Sequence, residues 1–130
     1  MKNNGQADRG ILLDILEHCR DIQNALLRFG DDFSVFQTDV DYRKSVCLSL
    51  MQVGELSGNL SETFRAGTGD RMPWPAIKSM RNWIAHNYLH VKLEIIWNTV
   101  QEEIPEMIRF CYEMLETMPP EHIPEEELQL

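Results

Sequence analysis

The sequence predicts an all-α fold, an antiparallel bundle of four to five helices, and three observations support this prediction. Apolar residues recur every three to four positions over long stretches, which is the period of one face of an α-helix. Glycine and proline residues separate those stretches and mark their ends. The chain has 130 residues, 43% of them hydrophobic, which is enough for one core and too few for two. We therefore expect one helical domain over residues 1–118.

Two long amphipathic helices are predicted in the first half of the chain. The first ends near Gly30, and the second runs from about Asp39 to Glu62. The inward positions of the first are Ile11, Leu12, Ile15, Leu16, Cys19, Ile22 and Leu26. Those of the second are Val46, Cys47, Leu50, Val53, Leu56 and Leu60.

The second helix contains two glycines, Gly54 and Gly58. Since a glycine inside a helix costs about 1 kcal/mol relative to alanine, we expect the close approach of another helix there as compensation. Glu55 lies between them in sequence. It is either an inward polar group near the functional site or a solvent-facing or capping residue.

The second half of the chain predicts a long loop, two further helices and a tail. Residues 65–73 contain two glycines and form the loop, and Trp74-Pro75 then opens a helix with proline in its first turn. The last helical stretch runs from Lys92 to Met118, and Pro105 should kink or divide it. Residues 119–130 are acidic and rich in proline, so we expect a flexible tail.

Charge is distributed unevenly along the chain. The net charge is −9, which argues against generic nucleic-acid binding. Between Thr63 and Leu93, however, five basic residues stand against Asp70 alone, whereas the segment from Glu113 onward has six glutamates and no basic residue. We expect a positive field in the first of these segments and a solvated end that repels RNA in the second.

Composition also indicates the compartment. The N-terminal residues are polar, and no apolar run approaches the roughly 20 residues that span a bilayer, so we expect a cytoplasmic protein without a membrane contact. Cys19, Cys47 and Cys111 lie inside helical patterns and lack any paired spacing. We interpret them as reduced, mostly buried thiols, and we expect no metal site.

The helix that begins at Trp74 carries the residues best suited to chemistry. Arg81 offers a planar set of donors that matches phosphate oxygens, and His86 supplies an imidazole, the type of side chain most often used for proton transfer. Asn82 shares a helical face with His86, whereas Arg81 and His86 are about 140° apart on an ideal helix. They converge only if the arginine wraps round or the helix ends near His86, and the β-favouring residues that follow Asn87 favour such an ending. Together with Tyr88, these groups suggest chemistry on a phosphodiester.

Several short blocks of this sequence resemble one known family in both order and spacing. The blocks are Asp14–Glu17, Asp31–Phe33, Val53–Leu56, Pro73–Asn82, His86–Tyr88, Ile96–Trp97 and Ile104–Pro105. They resemble the HepT-like branch of the HEPN superfamily, whose Arg-x4-His-x-Tyr signature matches Arg81, His86 and Tyr88. The resemblance covers roughly residues 10–116. Lys92 departs from it, since the family usually has an acidic residue there.

The resemblance implies a specific function. HepT-like proteins are small helical homodimers, and many are metal-independent ribonucleases that act as toxins in toxin–antitoxin modules without a cofactor. Their partner is a minimal, MntA-like nucleotidyltransferase antitoxin that neutralises the toxin by transferring AMP to the motif tyrosine. That tyrosine is Tyr88 here. The exposed apolar circumference expected for the motif helix also favours a homodimer.

The expected reaction is endonucleolytic cleavage of RNA by attack of a 2′-hydroxyl on the adjacent phosphorus. Arg81 and His86 are the candidate catalytic residues, the arginine for phosphoryl charge and the histidine for proton transfer. Asn82 would support the site by orienting His86 or a phosphate. Tyr88 would contact RNA and receive the AMP.

Two other classes of function fit the same residues. In the first, the protein is a non-catalytic nucleotide- or substrate-binding subunit of a minimal nucleotidyltransferase. In the second, it is a structural dimeric helical module whose motif residues hold the interface together.

Overall fold

The computed structural model describes residues 4–118 and 120, and within this part of the chain it contains α-helices and no strands. The α-helices are α1 (Asn4–Phe29), α2 (Phe33–Thr38), α3 (Val40–Asn59), α4 (Glu62–Gly67), α5 (Trp74–Asn87), α6 (Leu93–Asn98) and α7 (Ile104–Glu116). A 3₁₀ turn covers Tyr88–His90, and a π-helical segment covers Thr99–Glu103. The all-α prediction is confirmed.

The long helices pack antiparallel. Asp8 near the start of α1 accepts two hydrogen bonds from Ser61, just beyond the end of α3. At the other end of this pair, the Tyr42 hydroxyl donates to the carbonyl of Gly30 over 2.9 Å. Helix α3 therefore runs back along α1, and it packs against α5 as well. Helix α7 packs against α1 and completes the bundle.

The core consists of the apolar faces of these helices, with two groups of aromatic rings at its ends. At one end the Phe36 ring meets the rings of Tyr42 and Trp97 at centroid distances of 5.1 and 5.3 Å. At the other end the rings of Trp74 and Phe110 are 5.7 Å apart. These ring contacts hold the helices together at both ends of the bundle.

The end of α1 follows the prediction, but the next segment contains a helix that the sequence did not reveal. Gly30 has φ +111°, a conformation that glycine adopts without strain, and it ends α1. Asp32 then caps α2 by accepting from the Ser34 amide over 2.8 Å. Phe36 is completely buried, so tertiary packing stabilises a helix too short to be stable alone.

The predicted continuous helix to Glu62 is wrong, because α3 ends at Asn59. Leu60 is extended and almost fully buried, and Ser61 then caps α4 by accepting from the Phe64 amide. The Ser61 side chain also donates to Asp8, so the break ties α3 and α4 to the start of α1.

The loop predicted for residues 65–73 is consequently shorter. Its first three residues belong to α4, which ends at Gly67. Thr68 then accepts a hydrogen bond from the Trp74 indole and donates to the Phe64 carbonyl. These bonds tie the turn between α4 and α5 to both helices.

Pro105 divides the last helical stretch, as expected. It lies in the first turn of α7, directly after the π-helical segment. Proline cannot donate to the carbonyl four residues earlier and its ring collides with that group. The wider π-helical turn over Thr99–Glu103 accommodates the proline ring and the missing hydrogen bond. The chain therefore stays helical into α7.

The expected close approach at the α3 glycines occurs at only one of them. A methyl group on Gly54 would overlap the Cβ of Arg81 and lie 2.9 Å from its Cγ, whereas Gly58 has open space at that position. Gly54 therefore allows α5 to lie against the α3 backbone.

The three cysteines are buried and unpaired, as predicted. Burial raises the pKa of Cys19 and Cys111 to about 12 and that of Cys47 to about 11. Thiols of this kind are poor nucleophiles near neutral pH.

No helix in the described part of the chain is long and apolar enough to cross a bilayer. The predicted acidic tail, residues 119–130, lies outside the described residues except for Pro120.

The α3–α5 contact gives a testable stability difference. Gly54→Ala should lower the free energy of unfolding by about 1–3 kcal/mol, because the added methyl group forces α5 away from α3. The matched control in the same helix is Gly58→Ala, which should lose no stability and gain up to about 1 kcal/mol. Urea denaturation followed by circular dichroism measures both. Equal stability of the two variants would contradict the close approach.

Candidate functional site

The candidate site is built on α5 and the 3₁₀ turn that follows it. Pro75 lies in the first turn of α5, and the completely buried Ile84 fixes the helix to the core. Helix α5 packs on α3, so its residues divide between a face against α3 and faces open to solvent. Its end at Asn87 agrees with the sequence prediction of an ending near His86.

Arg81 lies on the α3 side of the helix. Its Nη2 forms an ion pair with the Glu55 carboxylate over 2.9 Å, and its Nη1 donates to the Asn82 side-chain oxygen over 3.1 Å. The base of the side chain rests over Gly54. The Arg81 side chain as a whole is 34% exposed, so it is held in place and still accessible. Glu55 is solvent-facing rather than inward, with its side chain 55% exposed, and it reaches the motif from the surface through this ion pair.

His86 lies in the last turn of α5 with its side chain exposed. Its imidazole forms no hydrogen bond or ion pair with any other residue in the described part of the chain. The Asn82 amide that was expected to orient it is instead bonded to Arg81. His86 follows Arg81 by five positions along the helix, which gives an axial rise of about 7.5 Å and a rotation of about 140°. One chain therefore presents an anchored guanidinium and a free imidazole on different sides of a helix.

Tyr88 begins the 3₁₀ turn and is half-buried. Burial raises the pKa of its phenol above the ordinary value, the nearby Cys47 thiol acts in the same direction, and Arg43 opposes both. The phenol borders a cleft of about 480 Å³ that the first turns of α3 line on the opposite side. Arg43 and Lys44 of α3 lie along this cleft. Sequence reasoning did not identify these two cations, because only the antiparallel packing of α3 and α5 brings them to Tyr88.

The positive field expected around the motif is partly neutralised. Arg71 pairs with Glu113 over 2.8 Å, and Arg81 pairs with Glu55, while the Arg65 guanidinium donates to a backbone carbonyl. Glu113, the first residue of the predicted acidic end, is exposed as expected and pairs with Arg71 as well. Lys78 and Lys92 form no ion pair with another described residue.

Other features of the described chain lie outside this constellation. A groove of about 360 Å³ runs between α5 and the segment that leads into α7, and its walls are mostly apolar. No cluster of histidine, cysteine or carboxylate side chains with metal-binding geometry occurs among residues 4–118 and 120.

This arrangement has a definite chemical capability. Two of the five guanidinium N–H groups of Arg81 are bonded to Glu55 and Asn82, which leaves three for the oxygens of a phosphate. The imidazole of His86 is exposed, so it is accessible for proton transfer to or from a bound substrate.

Curated proteins from three organisms are similar to this chain. A protein of Methanocaldococcus jannaschii named "Putative RNase" is 33% identical over 109 residues, which are 82% of this chain and 86% of that protein. A protein of Caldanaerobacter subterraneus subsp. tengcongensis with the same description is 32% identical over 108 residues, 83% of this chain and 94% of its own length. The "Probable ribonuclease HepT" of Thermococcus cleftensis is 31% identical over 75 residues, 58% of this chain and 67% of that protein.

No solved structure shows significant similarity to this chain. The profile of the family described as "Ribonuclease HepT-like" matches residues 13–114, a range that contains α3, α5 and every residue of the candidate site. The chain belongs to the HepT-like ribonuclease family.

Proposed function

We propose that this protein is a metal-independent endoribonuclease that acts as the toxin of a toxin–antitoxin module. The observation that carries the proposal is the combination of an anchored guanidinium and a free imidazole at the end of α5, in a chain that belongs to this family. Relatives named as ribonucleases support RNA as the substrate. The compartment proposed for this activity is the cytoplasm.

The reaction begins when the 2′-oxygen of the RNA attacks the adjacent phosphorus. His86 accepts the 2′-hydroxyl proton, or acts as the acid that protonates the departing 5′-oxygen. The new O2′–P bond forms as the P–O5′ bond breaks, which yields a 2′,3′-cyclic phosphate and a 5′-hydroxyl end. Arg81 stabilises the negative charge that builds on the phosphoryl oxygens.

Glu55 and Asn82 position the arginine in this mechanism. Both are bonded to the guanidinium, so its plane is fixed before substrate arrives. A donor that is already oriented loses little freedom when a phosphate binds. Asn82 therefore supports the site through Arg81, while a direct contact of its amide with the phosphate also remains part of the proposal.

A homodimer is the proposed working form. Arg81 and His86 point in different directions on one helix, and a second copy would supply the missing partner for each across a shared cleft. Apolar side chains near the motif support this arrangement, since Leu89 is 85% exposed and Ile95 is 42% exposed. Trp83 is half-buried on the same part of the surface. A dimer interface would cover these residues.

Tyr88 is the proposed point of control. A minimal nucleotidyltransferase antitoxin would attach AMP to its hydroxyl, which the half-buried position leaves at the border of an open cleft. The added phosphate and base would place bulk and negative charge beside His86. RNA would then be excluded by both repulsion and occlusion.

A second function is kept because one contact favours it. The Glu55 carboxylate already pairs with Arg81 and offsets part of the guanidinium's charge. A guanidinium with its charge partly offset can bind a phosphate and yet stabilise a transition state poorly. In this second function, the protein binds a nucleotide or substrate phosphate for a nucleotidyltransferase without cleaving it.

Cleavage by site variants tests the catalytic assignment. His86→Ala should lower kcat for RNA by about 10²–10⁴-fold, because proton transfer is lost, and Arg81→Ala should cause a comparable loss. The measurement is the rate of appearance of cyclic-phosphate ends from a labelled transfer RNA in EDTA. His90→Ala removes another exposed histidine four residues away and should leave the rate unchanged.

Two results would count against this assignment. Equal rates for folded His86→Ala and wild type would remove the histidine from the mechanism. RNA binding without any cleavage by the wild type would favour the nucleotide-binding subunit.

Tyr88→Phe separates control from catalysis. The variant keeps the ring but has no hydroxyl to modify, so it should still cut RNA and should resist neutralisation by the nucleotidyltransferase and ATP. Mass spectrometry should find AMP on the wild type and none on the variant. Tyr112→Phe, an exposed tyrosine on α7, is the control and should be neutralised normally. Full neutralisation of Tyr88→Phe would place the modification elsewhere.

A further inference from the structure

A cleft beside Tyr88 has a composition that the catalytic assignment does not use. One wall is the start of α3, with Val40, Arg43 and Lys44. The opposite wall is the segment after α5, where Tyr88 and Leu89 lie. We call this feature the Tyr88 cleft. Its volume of about 480 Å³ falls within the range of small-molecule sites in proteins.

The charge of the Tyr88 cleft is positive and unneutralised. Two adjacent cations line it, and no acidic residue does. Neither Arg43 nor Lys44 forms an ion pair with a residue in the described ranges. The two acidic residues at the start of α3 do not line the cleft. Asp39 caps the helix by accepting from a backbone amide, and Asp41 is exposed.

The two cationic side chains of the cleft differ in how firmly they are held. The Arg43 guanidinium donates to the Gln37 carbonyl over 2.6 Å, which fixes its position and leaves its other N–H groups available. Lys44 is exposed, and its charge sits at the end of a long flexible stem that no ion pair with another described residue holds. The rest of the lining is mostly apolar and includes Val40, Leu89 and Leu93. Positive charge beside an apolar wall suits a ligand that has both a phosphate and a flat ring.

We propose that the Tyr88 cleft is a subsite for one nucleotide of the RNA, next to the nucleotide whose phosphodiester is cut. Arg43 and Lys44 bind its phosphate, and the apolar wall receives its base or sugar. This inference rests on the proposed ribonuclease function, and it adds a binding element on α3 that lies outside the α5 motif.

The location supports this use of the cleft. Tyr88 lines the cleft and follows His86 by two residues, so the Cα atoms of the two are at most about 7 Å apart, although His86 itself is not a lining residue. A single RNA strand could therefore pass from the cleft to the imidazole. A nucleotide attached to the Tyr88 hydroxyl would occupy the same cleft, which gives the proposed modification a direct way to compete with RNA.

Binding of an uncleavable strand tests the subsite independently of catalysis. The probe is a fluorescent, fully 2′-O-methylated oligoribonucleotide, which has no free 2′-hydroxyl for the attack. Fluorescence anisotropy with the full-length protein gives Kd as a function of salt. The double variant Arg43→Gln/Lys44→Gln should bind about tenfold more weakly. The slope of log K against log salt should shrink by about 1.4, since each phosphate contact with a single strand contributes about 0.7.

The matched control removes two positive charges elsewhere. Arg20→Gln/Arg109→Gln changes exposed cations on α1 and α7, so its affinity and salt slope should stay within about twofold of the wild type. Because Arg43 bonds to Gln37, Lys44→Gln alone is the second variant. It changes an exposed side chain and should still reduce the slope by about 0.7.

The outcomes separate this subsite from the ribonuclease assignment. Wild-type affinity and salt slope in both cleft variants would overturn the subsite, and RNA cleavage by the wild type would still stand. Failure of the wild type to bind the oligonucleotide would also overturn it. Weaker binding by the cleft variants, with no cleavage of ordinary RNA by the wild type, would support the subsite as a nucleotide site and contradict the ribonuclease.

Discussion

The contact between α3 and α5 at Gly54 is the constraint on which the site depends. Because Gly54 has no side chain, the base of Arg81 rests against the α3 backbone. Glu55, the next residue in α3, reaches the guanidinium. A larger residue at Gly54 would move the arginine and separate it from its carboxylate partner. The same contact sets the register that carries the start of α3 to Tyr88. One close approach therefore places both the anchored arginine and the Tyr88 cleft.

The energetics of this contact divide into packing and charge. The Glu55–Arg81 pair is partly solvent-exposed, and pairs of that kind contribute about 0–1 kcal/mol to stability. The apolar packing of α5, with Ile84 fully buried, contributes more. The ion pair therefore acts mainly on the orientation of the guanidinium. The fold would survive its loss, while a mechanism that needs a fixed donor would not work as well.

Much of the fold could be predicted from the sequence, because its signals are local. The apolar repeat of α1, Gly30 at its end and Pro105 before α7 act within a few residues, and each had the predicted effect. Helix α2 and the break at Leu60 depend on distant partners. Phe36 needs the rings of Tyr42 and Trp97, and Ser61 needs Asp8.

The candidate site, like the fold, could be predicted from the sequence only where its signals are local. The motif on α5 was recognisable from its residue types and spacing, as was the end of the helix close to His86. The contacts between side chains were not recognisable from the sequence. Asn82 bonds to Arg81 instead of His86, and the cations at the Tyr88 cleft come from α3. Their catalytic and binding roles remain predictions. The central claim is that Arg81 of one copy acts with His86 of another.

Mixing two inactive variants tests that claim most directly. Arg81→Ala and His86→Ala proteins, unfolded and refolded together in equal amounts, would form about half mixed dimers by random pairing. Native mass spectrometry counts those dimers, and RNA cleavage reports their activity. The account predicts activity well above that of either variant alone, because a shared cleft regains one intact arginine and one intact histidine. Mixed dimers with no more activity than the separate variants would contradict it.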